Sequence, residues 1–555
     1  MKIAIAQQNY SIGDFGKNAT KISKAIFEAK NQKADLVVFP EMSVCGSFPF
    51  DVLQKEDFLE TTMQVLQRIA TESYEIAVLI GCPTYCEDEN ETKVYDSAIL
   101  IENGIITRRF NKKNLSHLES KYFLTDTEKN FFEWKNQKIA VCVGDDVPEE
   151  EKGISLAINI TTKQFKYKDS HVSEQFSKTQ CPVICVNQVG ANTERVFEGH
   201  SYVLNANGEK ILQLPYFKED FVIFDTDKNY EPLAKDEFNE IALLHDALIL
   251  GIQDYFSKNG FKTATLGLSG GIDSAVVLAL AAEAIGSENI RVLLLPSEYS
   301  TSHSITDAEG LANNLGVQYD IVPIKSIYNE TLSTLSPIFK DLPFSVAEEN
   351  LQARIRGLLL MALSNKFGNI LLNTSNKSEV AVGYGTLYGD TNGSISILGD
   401  VYKTDVFKLA RYINRDKEII PEHTIIKPPS AELHPNQQDS DSLPNYDVLD
   451  AILYQYIECG KTQDEILKMG FEKDVVEKTL RLLKRCEFKR QQLCPAIRVS
   501  QKPFAELQIP LIVKYKSKRK GKFAIQISLF SYNRMTDYFF CESFNFVKMS
   551  LIFAM

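Results

Sequence analysis

The sequence predicts an α/β protein with two folded domains, a sandwich of two sheets followed by a parallel sheet. Through residues 1–227, about ten short apolar runs follow one another with few helical segments between them, which is typical of stacked sheets. From residue 241 onward, apolar strands alternate with helices, and Ala, Gly and apolar residues flank each strand. That pattern is typical of a parallel sheet buried on both faces.

The composition predicts a cytoplasmic protein without a membrane or nucleic-acid partner. The chain has 555 residues, 44% of them hydrophobic, which is enough for two to four domains. A net charge of −12 disfavours anionic surfaces such as nucleic acid or acidic lipid. Ten cysteines without CxxC pairs fit a reducing compartment and indicate no zinc site. We find no signal peptide and no apolar stretch long enough to span a bilayer.

The first domain, expected over residues 1–230, opens with a strand at residues 2–7, an amphipathic helix at 18–31 and a buried strand at 34–40. Later apolar runs predict strands at residues 76–82, 97–102, 138–143, 154–160 and 182–189. The turn ANG at residues 206–208 predicts a hairpin between two further strands, at 201–205 and 210–213.

Three segments of this domain resemble the nitrilase superfamily: VFPE at residues 38–41, VNQVG at 186–190 and FEGHS at 197–201. The resemblance implies an αββα sandwich that hydrolyses amides with a Glu-Lys-Cys triad. The Glu is a general base, the Lys stabilises the oxyanion and the Cys forms the acyl intermediate. The resemblance assigns these roles to Glu41 and Lys112, with Lys113 as the second match for the lysine. Tyr122 falls where glutamine-using members contact their substrate.

The nucleophile does not match the family pattern of two apolar residues, Cys, an acidic residue and Asp. Here residues 140–146 read AVCVGDD, so that Gly144 stands at the expected Cys position. Cys142 lies two residues earlier, on the same side of the strand but about 6.6 Å short of its end. Two interpretations follow. Either the domain keeps its fold and has lost glutamine hydrolysis, or Cys142 has taken over as nucleophile.

The expected glutamine contacts change together with the nucleophile. Where glutamine-using relatives carry Ser-Pro-Phe and then Lys and Arg, this chain has KQF at residues 163–165 and then Asp169 and Ser173. Several altered contacts favour the loss of glutamine hydrolysis.

A polar linker leads to a predicted helix at residues 241–257 and then to the second domain's most informative segment. An apolar strand at 263–268 runs into SGGIDS at 269–274 and a helix at 275–285. Unpaired N–H groups of a helix's first turn suit a phosphate, and glycines let the backbone approach it. Asp273 would repel a bare phosphate, so we interpret it as a ligand for a divalent ion. No Gly-Lys-Ser/Thr ends the loop, which excludes a Walker A motif.

This segment resembles the signature of ATP pyrophosphatases, which cleave ATP to AMP and pyrophosphate. Four polar blocks follow it in order: ENLQARIRG at residues 349–357, NTSNKSE at 373–379, GYGTLYGD at 383–390 with Lys403, and KPPSAEL at 427–433 with FKR at 488–490. Together they resemble the two-domain, glutamine-dependent NAD synthetases over residues 240–510. The family reaction adenylates the nicotinate carboxylate of deamido-NAD with ATP, after which ammonia displaces AMP.

The resemblance implies a set of site residues. It assigns ATP binding to Gly267, Leu268, Ser269, Gly270, Gly271, Ile272, Asp273, Ser274, Thr374, Lys403 and Ser430. It assigns Mg²⁺ binding to Asp273 and Glu379. It assigns deamido-NAD binding to Asn350, Glu379, Asp390 and Lys489. Polar loops at residues 297–304 and 437–442 are candidate lids that keep water from the adenylate.

The family also implies a homo-oligomer and a tunnel that carries ammonia from the first domain to the second. With Gly144 in place of the nucleophile, we expect free ammonia rather than glutamine to be the nitrogen source. Two alternatives remain at this point. One is a different ATP-pyrophosphatase amidotransferase, against which the Glu41 and Lys112 domain argues. The other is a non-catalytic nucleotide-binding protein, against which Asp273, Glu379 and Lys403 argue. Residues 514–555, basic and then aromatic, form an appended tail to which the sequence assigns no function.

Overall fold

The computed structural model describes residues 1–86, 93–148, 153–168, 175–176, 179–234, 239–507 and 509–511. It confirms the predicted α/β class, with a two-sheet sandwich in the first half and a parallel sheet in the second. The predicted tail, residues 514–555, lies outside the described residues, as do Asp169 and Ser173. In the part of the chain that is described, no helix combines the length and apolar composition that crossing a bilayer requires.

The described residues of the first half form two α-helices and fifteen strands. The helices are α1 (Phe15–Asn31) and α2 (Glu56–Glu72). The strands are β1 (Lys2–Gln7), β2 (Leu36–Val38), β3 (Ala77–Thr84), β4 (Val94–Glu102), β5 (Ile105–Asn111), β6 (Phe123–Leu124), β7 (Phe131–Trp134), β8 (Gln137–Val143), β9 (Ile154–Thr161), β10 (Val183–Asn187), β11 (Val189–Asn192), β12 (Arg195–Glu198), β13 (Tyr202–Leu204), β14 (Lys210–Gln213) and β15 (Asp220–Asp225).

These strands form two sheets stacked face to face, with β11 and β12 as a separate hairpin. One sheet has the order β15-β1-β2-β3-β4-β5 with β6 beside β4, and the other has the order β14-β13-β10-β9-β8-β7. Alternate residues of both sheets, such as Val38 and Val143, form the apolar layer between them. The opposite residues of the first sheet, such as Val37, pack under α1 and α2. The helices therefore cover one outer face of the sandwich.

The sequence prediction omits α2, β6, β7 and β12 of this half, and three further details differ. The predicted strand at residues 182–189 divides into β10 and β11, because Gln188 interrupts the ladder. The hairpin of β4 and β5 turns at Asn103 and Gly104, which both have positive φ, and the sequence prediction omits β5. It also omits β15, which returns to pair antiparallel with β1. That pairing brings the ends of the first half together, and the amino group of Met1 lies 2.9 Å from Asp227 Oδ2.

The second half has five strands and twelve helices in its described residues. The strands are β16 (Ala264–Gly267), β17 (Ile290–Leu294), β18 (Gln318–Ile321), β19 (Ile370–Asn373) and β20 (Ile395–Ser396). The helices are α3 (Glu240–Asn259), α4 (Ile272–Ile285), α5 (Ser302–Leu315), α6 (Lys325–Phe339), α7 (Val346–Phe367), α8 (Lys377–Val382), α9 (Lys403–Ile413), α10 (Glu422–Ile426), α11 (Tyr446–Ile457), α12 (Gln463–Leu467), α13 (Lys473–Arg485) and α14 (Glu487–Arg490).

All five strands are parallel and follow the order β18-β17-β16-β19-β20. The order of strands reverses at β16, because β17 lies on one side of it and β19 on the other. Ligands bind at such a reversal, beyond the carboxyl ends of the strands. The segments that follow β16 and β19 are SGGIDS and NTSNKSE, so the topology brings the two most polar blocks of the sequence together.

Helix α3 joins the two halves into one apolar core. Its Leu244 and Leu248 pack in the same cluster as Phe165 and Val196 of the first half. At its carboxyl end, Lys258 Nζ donates hydrogen bonds to Asn9 Oδ1 at 2.6 Å and to the carbonyl of Ala191 at 2.7 Å. The halves are therefore joined by a buried apolar contact and by a nearly buried ammonium group.

Candidate active sites

The turn after β16 is built so that a phosphate can approach its backbone. Gly270 has φ +78°, and a Cβ at this position would overlap the backbone carbonyl of Ser304. Gly271 is the N-cap of α4 and has no side chain to fill the space before the helix. Its N–H donates to Ser269 Oγ at 3.2 Å, and Ser269 Oγ lies 3.2 Å from Ser274 Oγ. The turn is thus held by its own hydroxyl groups, with the first turn of α4 behind it.

A cavity of about 310 Å³ opens beside this turn. Most of the residues predicted to bind ATP line it, namely Gly267, Leu268, Ser269, Gly271, Ile272, Asp273, Ser274, Thr374, Lys403 and Ser430, together with Glu379 and Asp390. Gly270 lies in the same turn. The structure therefore brings segments that are far apart in the chain to one cavity.

A buried lysine between two carboxylates occupies the edge of this cavity. Lys403 Nζ forms a short ion pair with Asp273 Oδ2 and lies 3.4 Å from Glu379 Oε1. Asn376 Nδ2 donates to the other oxygen of Asp273 at 2.9 Å. Burial and the nearby charge of Asp273 raise the pKa of Glu379 to about 8, although Lys403 opposes this shift. Asp273 and Glu379 share the ammonium group of Lys403, and their carboxylates can also bind a second cation.

Magnesium fits this donor set. Asp273 and Glu379 both contact Lys403 Nζ, so their oxygens lie around one point at the cavity wall. Mg²⁺ prefers one or two protein carboxylates and takes its other ligands from water and phosphate. Burial is the main cause of the raised pKa of Glu379, and a bound divalent cation would favour the ionised form of this carboxyl.

The three other residues predicted to bind deamido-NAD meet at the segment of residues 383–390. Asp390 lines the cavity, and its Oδ1 accepts a hydrogen bond from the N–H of Thr386 at 2.5 Å. Asn350 Oδ1 accepts from Thr386 Oγ1 at 2.7 Å. Lys489 Nζ donates to the carbonyls of Gly383 and Gly385 at 2.8 and 2.7 Å. In the structure Asn350 therefore holds the Thr386 side chain of this segment, and Lys489 holds its backbone.

The two predicted lid loops are tied to each other across the cavity mouth. Glu432 accepts hydrogen bonds from Thr301 and from Ser304 Oγ, the latter at 2.7 Å. Ser430 Oγ donates to the carbonyl of Gln437 at 2.6 Å. The predicted loops at residues 297–304 and 437–442 thus meet through the segment of residues 430–432.

A second lysine–carboxylate cluster lies in the first half, where the two sheets of the sandwich meet. Lys112 Nζ donates to Glu41 Oε1 at 2.8 Å and to Glu119 Oε1 at 2.5 Å, and lies 3.8 Å from Asp96 Oδ2. Glu41 Oε2 accepts from both the N–H and the hydroxyl of Thr162, at 2.9 and 2.6 Å. Both carboxylate oxygens of Glu41 therefore have partners within the protein.

Electrostatics keep the charges of this cluster in place. Burial by itself would raise the pKa of Glu41, but the charge of Lys112 and several hydrogen bonds lower it below its ordinary value. Burial and the charge of Glu41 raise the pKa of Asp96 well above its ordinary value. Burial disfavours the charged form of Lys112, yet Glu41 and the other acids raise its pKa. The cluster thus favours the ionised form of Glu41 and the charged form of Lys112, and it disfavours the ionised form of Asp96.

Gly144 completes this cluster at the point where β8 ends. It has φ +60°, and a Cβ there would overlap Lys112 Nζ and lie 3.1 Å from Glu41 Oε1. A side chain at residue 144 would therefore point directly at the base and the lysine. The position has the geometry of a nucleophile but carries only hydrogen.

Comparison with known proteins covers nearly the whole chain. The family model described as carbon-nitrogen hydrolase matches residues 2–235, and the one described as NAD synthase matches residues 244–493. The glutamine-dependent NAD(+) synthetase of Synechocystis sp. is 41% identical over 538 residues, covering 90% of this chain and 96% of that protein. The chain belongs to the glutamine-dependent NAD(+) synthetase family. The synthetase of Acinetobacter baylyi is 39% identical over 534 residues, which cover 92% of this chain and 98% of the relative.

Solved structures of such synthetases superpose on the whole described fold. The enzyme of Acinetobacter baumannii, solved with ADP, is 38% identical and has a TM-score of 0.73, covering 92% of this chain and 98% of the other. The enzyme of Cytophaga hutchinsonii has a TM-score of 0.80 over 93% of this chain and 98% of the other, and at 21% identity it supports the fold alone.

Within this synthetase family architecture, Cys142 lies away from the Glu41 and Lys112 cluster. Val141 and Val143 of β8 face the layer between the sheets. Ala140, two residues before Cys142 and on the same side of the strand, packs with Phe176 and Cys185 on the outer face. Lys112 continues the inward row of Phe110. The structure therefore does not bring Cys142 to the predicted triad, because strand alternation directs it to the outer face of the sheet. Gly144 follows the end of β8 with positive φ and is turned toward Lys112, so the expectation that Cys142 shares its side of the strand is wrong.

Tyr122 and Lys113 are the other residues predicted for glutamine hydrolysis. Tyr122 is half-buried, and its hydroxyl donates to Asp51 Oδ1 at 2.7 Å. Lys113, the second match for the lysine, donates its backbone N–H to Asp146 Oδ2 at 3.0 Å, so its backbone supports the turn after β8. Lys112 rather than Lys113 is the lysine that contacts Glu41.

Sequence reasoning missed several residues of both clusters. Asn376 is fully buried and caps α8 while it contacts Asp273, and the spacing of Asn376 and Glu379 as a capping box would have indicated it. Arg356 lines the cavity and donates through Nε to the carbonyl of Leu295. Asp96, Glu119 and Thr162 surround Lys112 and Glu41, but each lies on a separate strand or turn, and no short motif links them.

Proposed function

We propose that this chain joins ammonia to the nicotinate carboxylate of deamido-NAD at the expense of ATP, releasing AMP and pyrophosphate, and that it takes the ammonia from solution. The observation that carries the synthetase part is the cluster of Lys403, Asp273 and Glu379 at the wall of the cavity beside SGGIDS. The observation that carries the ammonia part is Gly144, which faces Glu41 and Lys112 without a nucleophile.

The reaction needs two anions, a carboxylate and a triphosphate, to meet. Lys403 supplies a buried positive charge next to the turn whose backbone N–H groups face the phosphates. Bound Mg²⁺, held by Asp273 and Glu379, would supply further positive charge to the phosphates. The carboxylate then attacks the α-phosphorus, the bond to the bridging oxygen of pyrophosphate breaks, and ammonia displaces AMP at the acyl carbon.

The adenylate must be protected from water before ammonia arrives. Glu432, Thr301 and Ser304 hold the two loops together across the mouth of the cavity. We assign Asp390 and the segment of residues 383–390, supported by Asn350 and Lys489, to the deamido-NAD end of the cavity. Tyr384, Gly389 and Asp390 of this segment line the same cavity as the phosphate turn.

Glutamine hydrolysis requires a nucleophile that can form an acyl intermediate, which a glycine cannot. Glu41 and Lys112 retain the arrangement of a base and an oxyanion lysine, so the framework of an amidase persists. Cys142 on the outer face of its sheet supports loss of the activity rather than replacement of the nucleophile.

The test compares two nitrogen sources with ATP, Mg²⁺ and deamido-NAD present. We expect NAD and pyrophosphate to form with ammonium chloride, and at most about 1% of that rate with glutamine that has been freed of ammonia by a scavenging enzyme. Turnover with glutamine at the level of ammonium, abolished by Cys142→Ala, would contradict the ammonia proposal. Absence of pyrophosphate release with either source would contradict the synthetase proposal.

We further propose that the chain acts as a homo-oligomer in the cytoplasm. Several large apolar residues of α6, α7 and their connection are exposed, namely Ile338, Leu342, Phe344, Val346, Leu358 and Met361. Exposed apolar residues of this kind suit an interface, and a second copy of the chain is the partner that the family supports. The cysteines in the described residues are all unpaired with one another, which fits a reducing compartment. Light scattering of the purified chain, beside Leu358→Glu, measures the assembly.

A further inference from the structure

Helix α11 carries a buried acid that the reaction scheme does not use. Asp450 is 5% exposed and is absent from the lining of the nucleotide cavity as the described residues form it. Its Oδ2 accepts a hydrogen bond from the N–H of Thr404 at 2.9 Å. Its Oδ1 accepts a short hydrogen bond from Ser378 Oγ. Each donor is next in the sequence to a residue that is assigned above to Mg²⁺ or ATP. Ser378 precedes Glu379, and Thr404 follows Lys403.

These contacts close a ring between two helix beginnings. Ser378 Oγ accepts a hydrogen bond from the N–H of Lys403 at 2.9 Å while it donates to Asp450. The N–H of Lys377 donates to the carbonyl of Val401 at 2.9 Å, which joins the same two segments once more. The first turns of α8 and α9 are thus fixed to each other through one hydroxyl and one carboxylate.

Helix α9 needs these partners because it lacks an N-cap of its own. The residue at its N-cap is Tyr402, whose side chain makes no capping hydrogen bond. The first N–H groups of a helix have no intrahelical acceptor and are satisfied by a cap, by water or by another part of the protein. Ser378 and Asp450 supply the acceptors for Lys403 and Thr404. A carboxylate in this place also interacts favourably with the positive end of the helix dipole.

We propose that Asp450 is a positioning residue for the synthetase reaction, which fixes Glu379 and Lys403 relative to each other so that both meet Mg²⁺–ATP. This inference rests on the proposed function. It assigns to Asp450 no contact with substrate or metal. The requirement for a carboxylate follows from the two donors, because an amide has one acceptor oxygen and would leave the hydroxyl hydrogen of Ser378 without its acceptor if that oxygen stays on Thr404.

The test is Asp450→Asn, with Asp447→Asn as the matched control on the exposed side of the same helix. Binding of ATP is titrated by calorimetry at several Mg²⁺ concentrations, and NAD formation is measured over the same range. We expect the half-saturating Mg²⁺ concentration to rise about 10-fold in Asp450→Asn, the usual effect of removing a residue that orients a metal ligand. The KM for ammonia should change less than twofold, and Asp447→Asn should behave as wild type.

A role in stability alone would lower the melting temperature and leave the Mg²⁺ dependence of the folded fraction unchanged, and that result would overturn the proposal. Ser378→Ala removes one member of the ring with a smaller loss of packing. If Asp450→Asn does not fold, a wild-type Mg²⁺ dependence in Ser378→Ala would likewise overturn the proposal. In a Glu379→Gln background, Asp450→Asn should add less than a twofold effect, because both act on one ligand. If the effects of Glu379→Gln and Asp450→Asn on the Mg²⁺ dependence add in full, the positioning role would also be overturned.

Failure of the proposed function gives a different result. A wild-type chain that binds ATP with Mg²⁺ but makes no NAD contradicts the proposed reaction, while the calorimetric comparison of Asp450→Asn still decides the positioning role.

Discussion

The two lysine–carboxylate clusters of this chain differ in what surrounds them. Lys403 lies between Asp273 and Glu379 at the wall of a cavity of about 310 Å³. Lys112 lies among Glu41, Asp96 and Glu119, and every oxygen of Glu41 is already bonded to the protein. The first cluster borders a cavity that a ligand can enter, whereas Lys112 and Glu41 of the second are bonded within the protein. Under the proposed loss of glutamine hydrolysis, the charged framework of the second cluster would persist because it is also buried structure.

The largest effect is expected at Lys403. Lys403→Ala removes the buried cation beside the phosphate turn and should lower kcat for NAD formation from ammonium about 1,000-fold. Lys408→Ala changes an exposed lysine of the same helix, paired with Asp405, and should keep kcat within twofold. Steady-state kinetics at saturating ATP measure kcat for both variants. Similar losses in both variants would mean that the helix rather than the ammonium group of Lys403 is responsible.

The first cluster should respond in stability instead. Lys112→Met leaves Glu41 and Glu119 buried without their shared cation and should lower the free energy of unfolding by about 3 kcal/mol. NAD formation from ammonium should stay within twofold below the melting temperature. Calorimetric melting beside Lys121→Met, which alters an exposed lysine, provides the comparison. An unchanged melting temperature of Lys112→Met, or the loss of its NAD formation, would contradict the expected difference between the two clusters.

Replacement of the missing nucleophile tests the framework more finely. Gly144→Cys places a side chain at φ +60° against Lys112 Nζ, and we expect no glutamine turnover because Lys112 occupies the space. Gly144→Ala should lower stability by about 1 to 2 kcal/mol from backbone strain, plus the cost of moving Lys112. Gly153→Ala is the matched control, since Gly153 also has positive φ but open space beside it. Equal losses of stability in the two alanine variants would mean that Lys112 moves without cost.

The smallest effect concerns His245 on α3, the helix that joins the halves. Burial would lower the pKa of His245, but hydrogen bonds and charges from Asp246 and Glu283 raise it to about 9. The folded state therefore binds the proton more tightly than the unfolded state does. This stabilisation is complete below about pH 6.5 and is lost as the pH rises through 9. We expect a loss of about 1 kcal/mol, reduced because both acids are half-exposed. His245→Gln should remove this pH dependence from the melting temperature.

The sequence predicted most of the second site because its residues stand in short blocks at strand ends. SGGIDS and NTSNKSE follow β16 and β19, and parallel strands bring such blocks together whatever their distance in the chain. The sequence did not show that Asn350 accepts a hydrogen bond from the hydroxyl of Thr386, or that Lys489 donates to carbonyls of residues 383–390, because neither contact leaves a pattern in the residue types.

The first site was harder to predict beyond its motif residues. Glu119 and Asp96 reach Lys112 from a turn and from a central strand, and only the pairing of the strands brings them together. The alternative role for Cys142 depended on which face of β8 it occupies. Strand alternation fixes that face once Val141 and Val143 are known to point between the sheets. The register of a strand relative to its sheet is a tertiary property, which one sequence does not determine.

The apolar contact of α3 with the first half gives that half a structural role that does not depend on glutamine hydrolysis. Phe165 and Val196 belong to the same core as Leu244 and Leu248, and Lys258 reaches its acceptors across the junction. A shortened protein that contained the synthetase portion alone would expose the apolar residues of α3 to water, and it would need polar residues at those positions to stay in solution.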